Sequence, residues 1–126
     1  MFLRPLLDAP EAPWTLRNAR SGLVLADRLE PAFDSTARRR GLLGRQELDA
    51  GAALIIAPCN SIHTFFMKFA IDVIFVGREG RVAKICPALP AWRIGVSWKS
   101  FAAIELAAGG AARADTRVGD DLLVVR

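Results

Sequence analysis

The second half of the chain is dominated by apolar runs whose pattern predicts β-strands. Residues 52–57 form a continuous apolar run, which is typical of a strand buried on both faces. Residues 62–69 alternate instead, with His63, Phe65, Met67 and Phe69 on one side, and this pattern predicts a half-buried strand. Further strands are expected at 71–76, 81–86, 100–107 and 121–125, the first two joined by a hairpin over Gly77–Gly80.

The first half of the chain is punctuated by proline and glycine. Prolines at positions 5, 10 and 13 predict that residues 1–13 are an extended lead-in. Two short strands at 14–19 and 23–29 are expected to form a hairpin around Gly22. A short helix is expected over residues 36–43, with Asp34 or Ser35 as its N-cap.

These elements predict a mainly β fold with a single β domain over residues 14–126. About seven short strands, one or two short helices and turn signals every 8–12 residues are typical of a β-sandwich or small barrel. The length of 126 residues allows one domain. The pattern contains neither βαβ alternation nor a glycine-rich phosphate loop, so nucleotide-dependent chemistry is not expected.

Composition narrows the class of protein further. The apolar fraction of 52% and the mean hydropathy of +0.27 exclude a disordered chain. Apolar runs of four to six residues are too short to span a bilayer, so no membrane span is predicted. Two cysteines and no apolar signal region predict a cytoplasmic protein with free thiols, although an exported protein whose signal segment had been removed would look the same.

The net charge of +4 adds little about partners. Fourteen of the 17 basic residues are arginine, and only residues 38–40, with Arg45 nearby, form a cluster. Nucleic-acid binders usually group their cations on one face with aromatic side chains between them, so we do not expect nucleic acid as the partner.

The segment 59–72 holds the residue types that can carry chemistry, including the only histidine. Cys59, His63 and Asp72 are plausible zinc or iron ligands, although residues 59 and 63 of a fully extended chain lie ~13 Å apart. Cys59 with His63 as its base is the pair that nucleophilic catalysis requires. A third interpretation is a pocket in which Arg40, His63 and Lys68 meet an anionic or carbonyl-bearing ligand.

Each of these residues also has a purely structural interpretation. Lys68 is a cation in an apolar run and must either pair with Asp72 or extend to solvent. His63 is equally consistent with a histidine in the core or at its rim. Met67, between Phe65 and Phe69, is most simply explained by core packing.

Several motifs in order along the chain resemble domain-of-unknown-function family 192 of bacteria and archaea. They are RGLLGR at 40–45, TFFMKFAIDVIF at 64–75, GRV at 80–82, IEL at 104–106 with Gly109, and GD at 119–120. The resemblance implies a compact, mainly β domain of the sandwich or barrel type, and the family has no established activity. The polar positions that match its pattern are Arg40, Arg45, Thr64, Lys68, Asp72, Glu105 and Asp120.

These positions suggest a preformed polar pocket, and we expect Arg40 and Lys68 to converge near Asp72. The structural alternatives are that Asp120 caps a turn and that Glu105 pairs with an arginine to hold strands together.

The predicted function is a domain that binds a small polar or anionic ligand, or an extended peptide, through residues 59–72. The predicted ligand-binding residues are Arg40, Cys59, His63, Thr64, Met67, Lys68 and Asp72. No cofactor is predicted, and a metal held by Cys59 and His63 is the weaker interpretation.

The alternative function is a small hydrolase-like or metal-dependent enzyme that uses Cys59 and His63. An interaction subunit would instead expose an apolar patch around Trp92 and Trp98. The oligomeric state stays open.

Overall fold

The computed structural model describes residues 1–126 and is mainly β, as the sequence predicted. The ten strands are β1 (Thr15–Asn18), β2 (Val24–Ala26), β3 (Arg28–Ala32), β4 (Ala52–Ile56), β5 (Ser61–His63), β6 (Ile71–Val76), β7 (Val82–Leu89), β8 (Ile94–Val96), β9 (Ala102–Ala107) and β10 (Leu122–Val125). The three short helices are α1 (Arg4–Asp8), α2 (Ser35–Arg40) and α3 (Gly110–Arg113). None of these helices has the length and apolar character needed to cross a membrane.

A five-stranded sheet in the order β3-β4-β9-β6-β7 forms the centre of the fold. Strands β3 and β4 are parallel, and every other neighbouring pair is antiparallel. A second sheet has the order β10-β1-β2, and β5 pairs with β8 in a two-stranded ribbon. The sheets do not close into a barrel.

The three inner strands β4, β6 and β9 are buried on both faces: successive side chains of a strand point to opposite faces, and each face packs on its own core. Ile104 and Leu106 of β9 join the larger apolar core, which includes residues of β1, β2, β10, α1 and α3. Ala103 belongs to a second core, which includes Ile62, Leu42 and residues of β4 and β6. Glu105 lies on the same face as Ala103 and is therefore an acidic residue among the apolar side chains of the second core.

The predicted count of about seven strands was lower than the ten observed, and two of the differences can be located in the chain. The run 23–29 is not one strand, since it divides around Asp27 into β2 and β3, which belong to different sheets. Strand β8 was not predicted from the sequence. It pairs with β5 in the register Ser61↔Val96 and His63↔Ile94.

The alternating segment 62–69 is not a continuous strand. Strand β5 ends at His63, and the chain then turns, with the Met67 N–H donating to the carbonyl of Thr64 at 3.2 Å. Phe66 in this turn has a φ of 66°, which is left-handed backbone. The predicted grouping of His63, Phe65, Met67 and Phe69 on one strand face is therefore wrong.

The expectation of an extended lead-in over residues 1–13 is also wrong, because residues 4–8 form α1. Pro5 lies in the first turn of this helix, where a missing N–H removes no helical hydrogen bond. Leu3 and Leu6 are almost fully buried in the larger core. Pro5 is therefore compatible with α1, which the apolar side chains of residues 2, 3 and 6 hold on the core.

Candidate functional site

A cleft with a volume of about 510 Å³ opens on the face of the central sheet that carries Ala103 and Glu105. One wall is α2 with the following residues 41–43, and the other wall is the segment 58–63. Leu42, Ile56 and Met67 give the cleft an apolar lining, and Glu105 contributes a carboxyl group. This size and this mixture of apolar and polar groups are typical of sites for small molecules.

Local sequence signals form the helical wall. Of the two predicted caps, Asp34 and not Ser35 caps α2, since its carboxylate accepts the Ala37 N–H at 2.8 Å. Gly41 ends the helix with a φ of 49°, a conformation that favours glycine. The arginines 38–40 occupy the last turn, where positive charge interacts favourably with the helix dipole.

Two backbone hydrogen bonds hold the opposite wall on the core. The Cys59 N–H donates to the carbonyl of Phe101 at 2.8 Å, and the Ser97 N–H donates to the carbonyl of Asn60 at 2.8 Å. These bonds join the segment to the start of β9 and to the end of β8.

Glu105 is the most unusual group of the cleft. It lies on β9 directly between Leu54 and Val73 of the neighbouring strands, and only 3% of its surface is exposed. Its Oε1 has no hydrogen-bond partner. Burial raises the pKa of this carboxyl to about 7, against a smaller opposing effect of Arg45.

The expected pairing of Glu105 with an arginine does not occur. Arg45 Nη2 contacts both oxygens of the Glu30 carboxylate, at 2.7 and 2.8 Å, on the edge strand β3 two strands away from Glu105. The buried carboxyl is therefore left facing the cleft.

The cleft brings together four of the seven predicted ligand-binding residues, namely Arg40, Cys59, His63 and Met67. Met67 is buried, Cys59 is half-buried, and Arg40 and His63 are exposed. His63 therefore lies at the rim rather than in the core. Arg40 takes part in no ion pair, so its guanidinium is free to meet a ligand.

Thr64 and Lys68 do not line this cleft. The Thr64 hydroxyl accepts the Arg93 N–H at 2.9 Å and donates to the carbonyl of Pro90 at 2.6 Å, so it fastens two loops together. Lys68 is exposed and forms no ion pair, in agreement with the alternative that it extends to solvent.

Asp72 is bound to backbone amides, and the predicted convergence of Arg40 and Lys68 upon it is wrong. Its carboxylate accepts the N–H groups of Ala88 at 2.8 Å, Gly109 at 3.1 Å and Ala111 at 3.0 Å. Asp72 lies opposite Leu106 on β6, on the face of the sheet that points away from Glu105. Its position identifies it as an anchor for α3 and β7.

Cys59 and His63 do not form the pair that a nucleophilic mechanism requires. The Cys59 thiol donates to the carbonyl of Ser61 at 3.1 Å, and burial raises its pKa. The His63 Nδ1 accepts the Phe65 N–H at 3.3 Å, and the two rings stack at 4.9 Å. The structure also contains no group of three or more His, Cys, Asp or Glu side chains that could hold a metal ion.

Asp120 caps a turn, as the structural alternative predicted. Its carboxylate accepts the Arg117 N–H at 2.8 Å, and it also accepts from Asn18 at 2.8 Å and Arg20 at 2.7 Å. These hydrogen bonds, that of Arg20 above all, hold the pKa of this carboxyl well below its usual range.

Comparison with known families agrees with the motifs found in the sequence. Residues 17–124 match the model of DUF192, described as "Uncharacterized ACR". The chain belongs to the DUF192 family. No curated protein matches this DUF192 chain.

Two crystal structures have a similar fold. One is a protein of unknown function from Novosphingobium aromaticivorans, with 26% identity, a TM-score of 0.75, and coverage of 88% of this chain and 83% of the other. The second is a "putative transcription regulator" from Sinorhizobium meliloti, with 22% identity, a TM-score of 0.76, and coverage of 88% of this chain and 91% of the other. At 22% identity the second likeness concerns the fold alone.

In this DUF192 protein Glu105 lies in the cleft; the sequence analysis counted it among the polar positions of a pocket but not among the ligand-binding residues. An acidic residue inside the apolar run 102–107 was the available signal. The burial of Glu105 could not be predicted from this run alone, because it depends on strand order. Strands β4 and β6 flank β9 and place Leu54 and Val73 on either side of Glu105.

Proposed function

We propose that the cleft binds a small polar ligand that carries both an anionic group and a hydrogen-bond donor. The arginines of α2 receive the anionic group, and Glu105 accepts the hydrogen bond from the donor. The observation that carries this proposal is the buried Oε1 of Glu105, which has no partner within the protein.

A buried polar atom without a partner is costly, and few occur in folded proteins. Glu105 lines a cleft that is open to small molecules, so a ligand can supply the missing donor. A donor from the ligand would offset the cost of burial, and the hydrogen bond would be strengthened by the low dielectric around it.

The charge on the helical wall supports the anionic part of the ligand. Arg38 and Arg39 donate to the backbone carbonyls of Phe33 and Ser35, whereas Arg40 makes no such contact. Three guanidinium groups within one turn create a positive potential at the mouth of the cleft. Planar guanidinium groups bind carboxylate and phosphate through paired hydrogen bonds.

The enzyme alternative has less support. A nucleophilic cysteine needs a lowered pKa and a base within hydrogen-bond reach. Cys59 has a raised pKa, and its thiol donates to a backbone carbonyl.

The test uses a panel of amino acids, hydroxy acids and sugar phosphates, each with an anionic group and at least one donor. The panel is screened by its effect on the thermal unfolding midpoint, and the molecules that raise it are measured by calorimetry. Above pH 7, where the Glu105 carboxyl is charged, we expect Glu105→Gln to weaken binding about fivefold to tenfold. A hydrogen bond to a charged group contributes about 1.5–3 kcal/mol, and one to the neutral amide oxygen of glutamine about 0.5–1.5 kcal/mol. Arg40→Gln should weaken binding of the same molecules.

The matched controls change the same residue types outside the cleft. Glu47 and Arg17 are exposed and form no ion pair, so Glu47→Gln and Arg17→Gln should leave the affinities unchanged. The proposal fails if no panel molecule binds the natural protein, or if those that bind have equal affinity for all four variants.

A further inference from the structure

The ribbon formed by β5 and β8 has an outer surface rich in exposed apolar side chains. Phe66 is 72% exposed, Trp92 56%, Ile94 61% and Trp98 76%. We call these four residues the aromatic face. Phe66 and Trp92 lie together at one end of the ribbon, Ile94 lies on its outer side, and Trp98 follows its other end, so all four belong to one structural element.

The inner side of the ribbon is fixed on the core. Ile62 is buried, and a side-chain carbon on Gly95 would lie 3.5 Å from the Phe75 ring and 3.4 Å from the Cys86 sulfur. Because strand side chains alternate, the outward positions are those of the Ser61–Val96 and His63–Ile94 pairs. The ribbon therefore presents Ile94 to solvent on a rigid support.

The turns at one end of the ribbon hold two bulky residues in left-handed backbone. Phe66 has a φ of 66° and Trp92 a φ of 65°, a conformation that aromatic residues rarely adopt. Their rings meet edge to face at 4.7 Å. This arrangement keeps both side chains together on the outside of the protein.

Positive charge surrounds the aromatic face. Lys68, Arg93 and Lys99 are exposed and take part in no ion pair. Asp72 and Glu79 are the acidic residues between positions 58 and 103. Asp72 is buried under backbone amides, and Glu79, in the β6–β7 turn, pairs with the N-terminal amino group at 3.7 Å.

We propose that the aromatic face docks on the surface of an anionic lipid membrane. Tryptophan, phenylalanine, lysine and arginine are the residues that favour the interface between lipid headgroups and acyl chains. Buried Asp72 is the only acidic residue in segments 58–78 and 80–103, which form and flank the face, and this charge distribution complements a negatively charged surface. An outward ribbon fits a flat, deformable partner better than it fits a ligand that requires a groove.

Single-stranded nucleic acid is the other anionic partner that binds aromatic side chains, but it needs free ring faces. Here Phe65 stacks on both His63 and Trp92, and Phe66 contacts Trp92 edge to face. Ile94 offers no ring for stacking. The observations therefore favour lipid.

The test is sedimentation of the full chain with vesicles. One set contains phosphatidylcholine and phosphatidylglycerol in equal parts, and the other contains phosphatidylcholine alone. We expect binding to the anionic vesicles only. The double variant Phe66→Gly with Trp98→Ser should bind them about tenfold more weakly or worse, because it removes the two most exposed of the four apolar side chains. Glycine suits the backbone at position 66, so this variant is expected to fold.

The control is Leu23→Ser with Val118→Ser, which removes apolar side chains that are 47% and 64% exposed outside the ribbon. It should bind the vesicles as the natural protein does. The proposal is overturned if the natural protein does not sediment with anionic vesicles, or if the aromatic variant sediments equally well. It is also overturned if a thymidine oligonucleotide binds instead and the aromatic variant loses that binding.

Discussion

At the residue scale, Glu105 combines burial, an unpartnered oxygen and a raised pKa in one side chain. The unfolded chain holds this carboxyl near its ordinary pKa of 4.5, whereas the folded protein holds it at about 7. Between these values the folded protein binds more protons than the unfolded chain, so the free energy of unfolding falls as the pH rises. The fall in unfolding free energy is complete above the pKa of the folded protein.

We predict that Glu105→Gln removes this dependence. From pH 4.5 to above pH 7, the natural protein should lose about 3 kcal/mol of unfolding free energy relative to the variant. This value follows because each unit of pKa shift corresponds to about 1.4 kcal/mol. Urea unfolding across this pH range measures the difference. Parallel curves for the two proteins would contradict the prediction, and Glu47→Gln is the control that should follow the natural protein.

At the scale of elements, Asp72 connects β6, β7 and α3 through three backbone amides. Its Oδ1 accepts the N–H groups of Ala88 and Gly109, and its Oδ2 accepts that of Ala111. Gly109 and Ala111 lie at the start of α3, a helix too short to be stable alone. Asp72 therefore replaces the cap that this helix lacks.

We predict a graded loss of stability at this position. Asp72→Ala leaves three amides without an acceptor and should lower the free energy of unfolding by more than about 3 kcal/mol. Asp72→Asn retains Oδ1 and should cost less, since only the Ala111 N–H loses its acceptor. The control Asp121→Ala, at an exposed carboxylate, should cost under about 0.5 kcal/mol. If Asp72→Ala kept full stability but lost ligand binding, the sequence-based interpretation of Asp72 as a ligand residue would be restored.

Prediction from sequence succeeded for elements whose pattern is local. The apolar runs at 52–57 and 71–76, the hairpin at 77–80 and the cap at Asp34 lie where the sequence placed them. It failed for residues 62–69, because the turn after His63 depends on Thr64. The Thr64 hydroxyl binds backbone groups of Pro90 and Arg93, which are 26 and 29 residues away.

The same limit applies to the candidate site. Arg40, Cys59, His63 and Met67 share the cleft, but nothing in the sequence separates them from Asp72. Whether a residue lines the cleft is decided by the face of the sheet that it occupies. That face depends on strand order and register. Glu105 and Asp72 are both acids in apolar strands, yet they face opposite sides of the sheet.

At the scale of the whole molecule, two carboxyl groups impose opposite pH trends. Asp120 joins residues 18–20 to the turn at 115–120, which links distant parts of the chain. Its lowered pKa means that its contribution to stability is present above the unfolded value of 3.8 and is lost as the pH falls below it. Glu105 acts in the opposite direction above pH 4.5.

We therefore predict that the free energy of unfolding is highest between about pH 4 and pH 5. Asp120→Asn should weaken the fall on the acid side, and it should cost at least about 1 kcal/mol at neutral pH through its hydrogen bonds. Thermal unfolding over a pH series locates the maximum. A maximum near pH 7 in the natural protein would be incompatible with this view.

The burial of Phe2, Leu3 and Leu6 affects how the protein can be divided. The family match begins at residue 17, but these three side chains are part of the larger core. A fragment trimmed to the matched range would uncover the apolar surface on which they pack, and a recombinant protein designed from family boundaries would then be prone to aggregate. The limits of sequence similarity and the limits of the folding unit differ at this end of the chain.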